Sequence, residues 1–196
     1  MPKKSDSKER MIASARRLFR QHGYFGTALS DVVTESAAPR GSIYFHFPGG
    51  KEELAAEVTL LHAADVMTRI NRAAATTHTA AQLITAFVGG ERDDLVASNY
   101  REGCAVAPIV IESTPGSEQL SDATRRAFQD LITTLAARLN EKGLPHDEAA
   151  QLATHVWSSV QGALILSRAL RSPGPFDTAI AILTSAADSA TDASIS

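Results

Sequence analysis

Between residues 8 and 22 the apolar side chains of Met11, Ile12, Ala15, Leu18 and Phe19 recur at helical spacing and share one arc, while Arg10, Arg16, Arg17 and Arg20 share the opposite one. The pattern predicts an amphipathic helix with a basic outer face. Gly23 ends it. After a short connection Thr27 has the chemistry of an N-cap for a second helix, with Ser30 and Asp31 in the first turn and Leu29, Val32 and Val33 on the buried side. That helix closes near Ser36, and Ala37, Ala38 and Pro39 turn the chain. A third helix is predicted from Pro39 or Arg40 to Phe47, where Pro48, Gly49 and Gly50 stop it. Three short-range helices, the last two joined by a tight turn, make a helix-turn-helix unit.

Downstream the pattern stays helical. A long fourth helix carries Leu54, Val58, Leu61, Met67 and Ile70, and a fifth carries Leu83, Ile84, Phe87, Val88 and Leu95. Leu120, Phe128, Leu131, Leu135 and Leu139 repeat until Gly143 and Pro145 close that segment. Asp147 then reads as the cap of a helix holding Leu152, Val156, Val160 and Leu164. After a Pro/Gly break at residues 172–175, a last helix holds Phe176, Ile180, Leu183 and Ala187. Residues 105–111 are ambiguous, because their valines and isoleucines suit a strand and Pro108 interrupts a helix. With no partner strand, they read as a short irregular helix. The expected fold is all-α: an N-terminal three-helix bundle over residues 1–50, its helix-turn-helix at about 28–47, then a larger helical domain over 51–190 and a small polar, frayed tail over 191–196.

Composition narrows the class. With 196 residues, 44% hydrophobic and 21% charged, the chain is not disordered as a whole. A lone cysteine, Cys104, excludes an internal disulfide framework and a Cys-rich zinc site, which points to a reducing cytoplasm. The basic start lacks the apolar core of a signal peptide. The longest strongly apolar stretch, residues 104–111, is far shorter than the roughly 20 residues a spanning helix needs, so no membrane partner is expected.

The net charge of −3 argues against nucleic acid until it is divided. Residues 1–51 hold nine Lys and Arg against four Asp and Glu, a local +5; the remainder carries −8. The head is suited to phosphates and the body is repelled by them.

The stretch AAPRGSIYFHFPGGK, residues 37–51, concentrates the chemistry. Ile43 and Phe47 lie four apart and pack inward, which leaves Arg40, Ser42, Tyr44 and His46 to other faces. Arg40 suits guanine or phosphate, Ser42 and Tyr44 can donate from hydroxyls, and Gly41 lets backbone approach a duplex closely. The ring of Phe45 can meet a thymine methyl group. His46 and Lys51 sit where a flanking DNA strand would run, and Thr27 and Lys51 stand at helix starts whose amides and dipole favour phosphate. Lys3, Lys4 and Lys8 read as a basic arm, and Arg16, Arg17 and Arg20 suit either solvent or phosphate.

Phe19, Gly23, Tyr24, Thr27, Leu29, Val32, Gly41, Ser42, Ile43, Tyr44, His46, Phe47, Lys51 and Leu54 together give the first 65 residues or so a resemblance to the DNA-binding domain of the tetracycline-repressor (TetR) family. Pro39 to Ser42, Pro48 to Lys51 and the later Gly103 and Cys104 resemble its multidrug-type repressors related to LmrA, QacR and YxaF. The resemblance implies a homodimer on a palindromic double-stranded operator, its recognition helices in major grooves about 34 Å apart. It also implies release by a small-molecule effector and a part for Phe45 in operator choice. Ala37 stands where many members have glycine, so the turn is expected to differ slightly in shape, at a cost on the order of 1 kcal/mol.

The C-terminal half offers candidates rather than a motif. Met67, Phe87, Tyr100, Cys104, Phe128, Trp157 and Gln161 can line an effector cavity for a flat aromatic or cationic molecule, or be plain core. Cys104 suits a redox sensor or a buried thiol, and no resolving cysteine accompanies it. His62, His78, His146 and His155 lack metal-ligand spacing, so neither metal nor cofactor is expected. Ser159, Ala163, Ser167, Ala179, Ile182, Leu183 and Ala186 on the last two helices fit a four-helix dimer interface, with internal core as their other use. No nucleophile, base and orienter can be assembled, which sets an enzyme using Cys104 or a His with Asp147 aside. An architectural DNA-binding dimer and an activator stay open beside the repressor.

Overall fold

The computed structural model describes residues 4–39 and 41–195, with side chains described over 7–39 and 41–191. Among the described residues there are nine α-helices and no strand: α1 Lys4–His22, α2 Leu29–Glu35, α3 Ser42–His46, α4 Gly50–Thr76, α5 Ala80–Ala97, α6 Ala107–Ser113, α7 Glu118–Glu141, α8 His146–Leu170 and α9 Gly174–Ile195. The all-α expectation holds. So does the short helix near Pro108, which sits in the first turn of α6, where a missing amide hydrogen costs no intrahelical bond.

Several local expectations are corrected. Helix α1 starts at Lys4, so Lys8 is no mobile arm: its ammonium pairs with Glu57 at 2.7 Å and lies over the Phe47 ring. Lys3 lies outside the described residues. Ala28, not Thr27, is the N-cap of α2, and the Asp31 carboxylate accepts the Ala28 N–H at 3.0 Å in place of a capping hydroxyl. The third helix begins at Ser42 behind Gly41 rather than at Pro39 or Arg40. Pro145 rather than Asp147 precedes α8, and Asp147 adds its charge to the first turn. Leu61 is exposed rather than core. Residues 191–195 continue α9 instead of fraying.

The chain forms two compact units that α4 and α7 both pass through. One comprises Met1–Ala63 with Cys104–Ala127, the other Ala64–Gly103 with Phe128–Ser196. In the first, Met11, Ala15 and Phe19 of α1 meet Val32 and Val33 of α2, Ile43 and Phe47 around α3, and Leu54, Ala55 and Val58 of α4 in one core. Ala105 and Ile109 from the α6 segment and Leu120 from α7 close that core from far along the chain. Burial of about 25 cal/mol per Å² of apolar surface is what fixes the short α2 and α3, neither of which is long enough to persist alone. In the second unit α5, α8 and α9 pack on one another. There Lys142 donates to the carbonyls of Ala74 and Thr77 at 2.9 and 2.5 Å, satisfying acceptors left over at the end of α4.

Candidate nucleic-acid interface

Helix α2 ends in a Schellman turn: the Ala37 N–H reaches the Thr34 carbonyl and the Ala38 N–H the Val33 carbonyl, both at 3.2 Å. Such a turn needs a left-handed residue, and Ala37 takes it at φ +50°. The turn therefore keeps the shape that glycine would give, and the expected change of shape is not found; the strain stays on alanine instead. Arg10 of α1 donates to the Ser36 carbonyl at 3.0 Å, and Arg17 pairs with Glu35, so part of the basic face of α1 braces α2.

The tight α1–α2 connection has its own glycine requirement. A Cβ on Gly26 would stand 2.2 Å from the His22 carbonyl oxygen, a backbone atom that cannot move aside. Beyond it Thr27 is 1% exposed and its hydroxyl donates to the Gly23 carbonyl at 2.9 Å. Its side chain holds the turn rather than facing a phosphate.

Helix α3 is short, and Ile43 and Phe47 fasten it to the core as expected. That register turns Tyr44 and Phe45 outward, 64% and 61% exposed. Both rings stand outside the core of the free chain. His46 is half-buried, its ring edge-on to Phe45 at 5.2 Å. The Ser42 hydroxyl donates to the Pro39 carbonyl at 2.7 Å, so its single hydrogen serves the start of α3. Gly41 is exposed, has φ −83°, and a Cβ there would meet nothing within 4 Å. Neither backbone conformation nor internal packing asks for glycine at this position. Arg40 lies outside the described residues.

Lys51 departs from the simple picture of a free cation at a helix start. Its Nζ stands 4.4 Å from the centre of the Tyr24 ring and 6.0 Å from that of Phe25, a cation–π arrangement. Burial pushes its pKa below the ordinary lysine value, while Glu112 and Asp31 oppose the change. The Gly49 N–H just before α4 is taken by the Glu53 carboxylate at 2.7 Å. Glu112 is the residue that sequence reasoning missed: no motif marks it, and only the fold brings it here.

A family model described as bacterial regulatory proteins of the tetR family matches residues 11–58, and one described as the C-terminal domain of LmrA/YxaF-like transcriptional regulators matches residues 80–182. The chain belongs to the TetR family. LmrA of Bacillus subtilis is 31% identical over 170 residues, covering 87% of this chain and 90% of that protein. An HTH-type transcriptional regulator of Mycobacterium tuberculosis strain H37Rv is 34% identical over 175 residues, covering 87% and 88%. The solved structure of a TetR transcriptional regulator from Chloroflexus aurantiacus superposes with a TM-score of 0.75 at 27% identity, over 92% of this chain and 93% of that one. The protein is a TetR-family transcriptional regulator, and DNA-binding regulation rather than catalysis is the activity of its relatives.

In this TetR-family chain the effector candidates fall in different places. Phe87, Trp157 and Phe128 form one aromatic group in the second unit, with Trp157 edge-on to Phe87 at 5.5 Å and to Phe128 at 6.4 Å. Trp157 is 6% exposed, and its Nε1 is buried without a hydrogen-bond partner. One turn along α8 the Nε2 of Gln161 is in the same condition. Met67 and Tyr100 are half-buried, Tyr100 at φ +59° in the turn after α5. Cys104 belongs to the first unit, its Sγ accepting from the N–H groups of Val106 and Ala107 at 3.4 Å.

Of the dimer candidates, Ala163, Ser167 and Leu183 are buried within the chain, so they serve as internal packing instead. Ser159 and Ala179 are half-buried, and Ile182 and Ala186 are exposed. Ile165, Leu166 and Leu170, all exposed on α8, were not foreseen, because apolar residues at helical spacing look the same whether they face the core or a partner. Among the described residues no cluster suits a metal ion, and no helix is long and apolar enough to cross a membrane.

Proposed function

We propose that the protein is a ligand-responsive repressor that binds a palindromic operator as a homodimer and is released by a small-molecule inducer. Residues 1–50 would supply the DNA-binding part and residues 51–190 the effector and dimer parts, in a cytoplasmic protein. The observation that carries the DNA reading is the outward pair Tyr44 and Phe45 on a helix whose other side is locked to the core, next to a Gly41 that nothing inside the chain requires. Tyr44 donates to a phosphate or base edge, Phe45 meets a thymine methyl, and Arg40, Ser42, His46 and Lys51 complete the contact with the backbone of Thr27 close by.

Two buried N–H donors on α8 without acceptors, one of them on an indole edge-on to Phe87 and Phe128, support an effector with a flat aromatic face and a hydrogen-bond acceptor, and weigh against a cation. Exposed Ile165, Leu166, Leu170 and Ile182 support α8 and α9 as the dimer face.

The test is selection of duplexes from a random pool, followed by fluorescence anisotropy at fixed salt. Tyr44→Ala is expected to weaken binding to the selected palindrome by about 1–2 kcal/mol, roughly tenfold, with the fold and dimer unchanged. An unchanged affinity removes α3 as the recognition helix. Failure to select any palindrome removes the operator reading.

A further inference from the structure

The helix α6, more than eighty residues downstream of the α1–α2 connection, places one carboxylate against it. The Phe25 N–H donates to Glu112 Oε2. On the same side, a Cβ at Gly23 would fall 2.6 Å from Glu112 Oε1, so the carboxylate lies against the backbone of residues 23–25. Other groups of that connection are tied locally: Gly23 N–H to the Phe19 carbonyl, Thr27 N–H to the Tyr24 carbonyl and Thr27 Oγ1 to the Gly23 carbonyl. Glu112 takes the Phe25 donor. The two rings so held, Tyr24 and Phe25, are the ones beneath the Lys51 ammonium. Tyr24 is also packed against Phe19 in the core, whereas Phe25 is exposed and is the ring whose place depends on the loop.

We propose that Glu112 is a positioning residue for DNA binding, which fixes the α1–α2 connection through the Phe25 N–H and thereby sets Lys51 for its phosphate. It rests on the DNA-binding reading above but names a residue outside the helix-turn-helix. The requirement is for an acceptor at this place rather than for charge, because a carboxylate beside DNA is otherwise repelled by phosphate. Burial of Tyr24, with Glu52 and Glu112 nearby, raises the Tyr24 pKa.

The test uses the full chain and the duplex selected by the parent protein. Glu112→Ala is expected to lower affinity for that duplex at least fivefold and to speed hydrogen exchange at the Phe25 amide at least tenfold in the DNA-free protein. Glu112→Gln, which keeps an acceptor oxygen, is expected to return affinity to at least half of the parent's and to restore most of the protection. In a Lys51→Ala background, Glu112→Ala should add less than a twofold loss. Parent-like affinity and protection in Glu112→Ala, a Gln variant as impaired as the Ala variant, or fully additive losses with Lys51→Ala each overturn the proposal. If Glu112→Ala does not fold, the Gln variant alone decides: weak binding overturns, retained binding with a protected Phe25 amide supports. A parent protein that selects no duplex defeats the regulator reading, whereas the exchange arm reports on the Glu112 contact without DNA.

Discussion

The buried hydroxyls of the helix-turn-helix and the buried donors of α8 are treated in opposite ways. Thr27 and Ser36 are both nearly inaccessible, and each has its oxygen bonded to a nearby carbonyl. What this region exposes is on its outside, in the rings of Tyr44 and Phe45. In α8 the inside is unsatisfied, because Trp157 Nε1, Gln161 Nε2 and Ser167 Oγ are buried with no partner, and the outside carries the exposed Ile165, Leu166 and Leu170. A buried donor without an acceptor costs about 1–3 kcal/mol, so the second arrangement carries a penalty that a bound acceptor would relieve. The difference lies in the interiors: the helix-turn-helix has a finished interior beneath exposed rings, whereas the interior of α8 is unfinished.

The largest effect that can break this comparison lies in α8. Trp157→Ala removes a buried indole between Phe87 and Phe128 and is expected to cost about 3–5 kcal/mol of stability, read as a lower urea midpoint. Trp157→Phe keeps one aromatic ring and removes the N–H together with the rest of the five-membered ring. It should cost less stability than Trp157→Ala, about 1–2 kcal/mol, and leave operator affinity unchanged, while weakening the thermal shift given by whichever aromatic acceptor stabilises the parent. An undiminished shift would mean that the orphaned indole donor has no ligand to serve.

A smaller effect separates surface from interior at Gly41. Because a Cβ there meets nothing and φ is ordinary, Gly41→Ala should leave the melting temperature unchanged or slightly raised. Operator affinity should nevertheless fall by about 1 kcal/mol, since the methyl group stands where backbone would approach the duplex. Unchanged affinity would show that α3 docks without close contact at its first turn.

Much of the first region was legible because its constraints are local. The apolar spacing of α1, the placement of Ile43 and Phe47, and the motif around Tyr44 all follow from periods of three and four along a short segment. Thr27 was misjudged as a cap because a hydroxyl before a helix usually bonds forward, whereas here Gly23, left-handed at φ +81°, offers its carbonyl backward. Glu112 was invisible for a different reason: its partner is 87 residues away and is a backbone amide, which leaves no trace in side-chain pattern. The α8 and α9 faces divided poorly for the same kind of reason. Ala163 and Ser167 suit close helix packing within a chain as well as between chains, and only burial tells the two apart.

The smallest effect sharpens the claim that the helix-turn-helix interior is finished. Ala37 holds a left-handed backbone that costs on the order of 1 kcal/mol, and it does so because the Schellman bonds of Ala37 and Ala38 and the packing of Ala38 against the core leave no alternative. Ala37→Gly relieves that strain but makes the unfolded chain freer, which returns part of the gain. The net expectation is about 0.5 kcal/mol of added stability, a rise of a degree or two in the melting temperature, and an operator affinity equal to the parent's. A loss of stability would mean that the turn is not strained, and a change in affinity would mean that its shape is set by residue 37 rather than by the core around it.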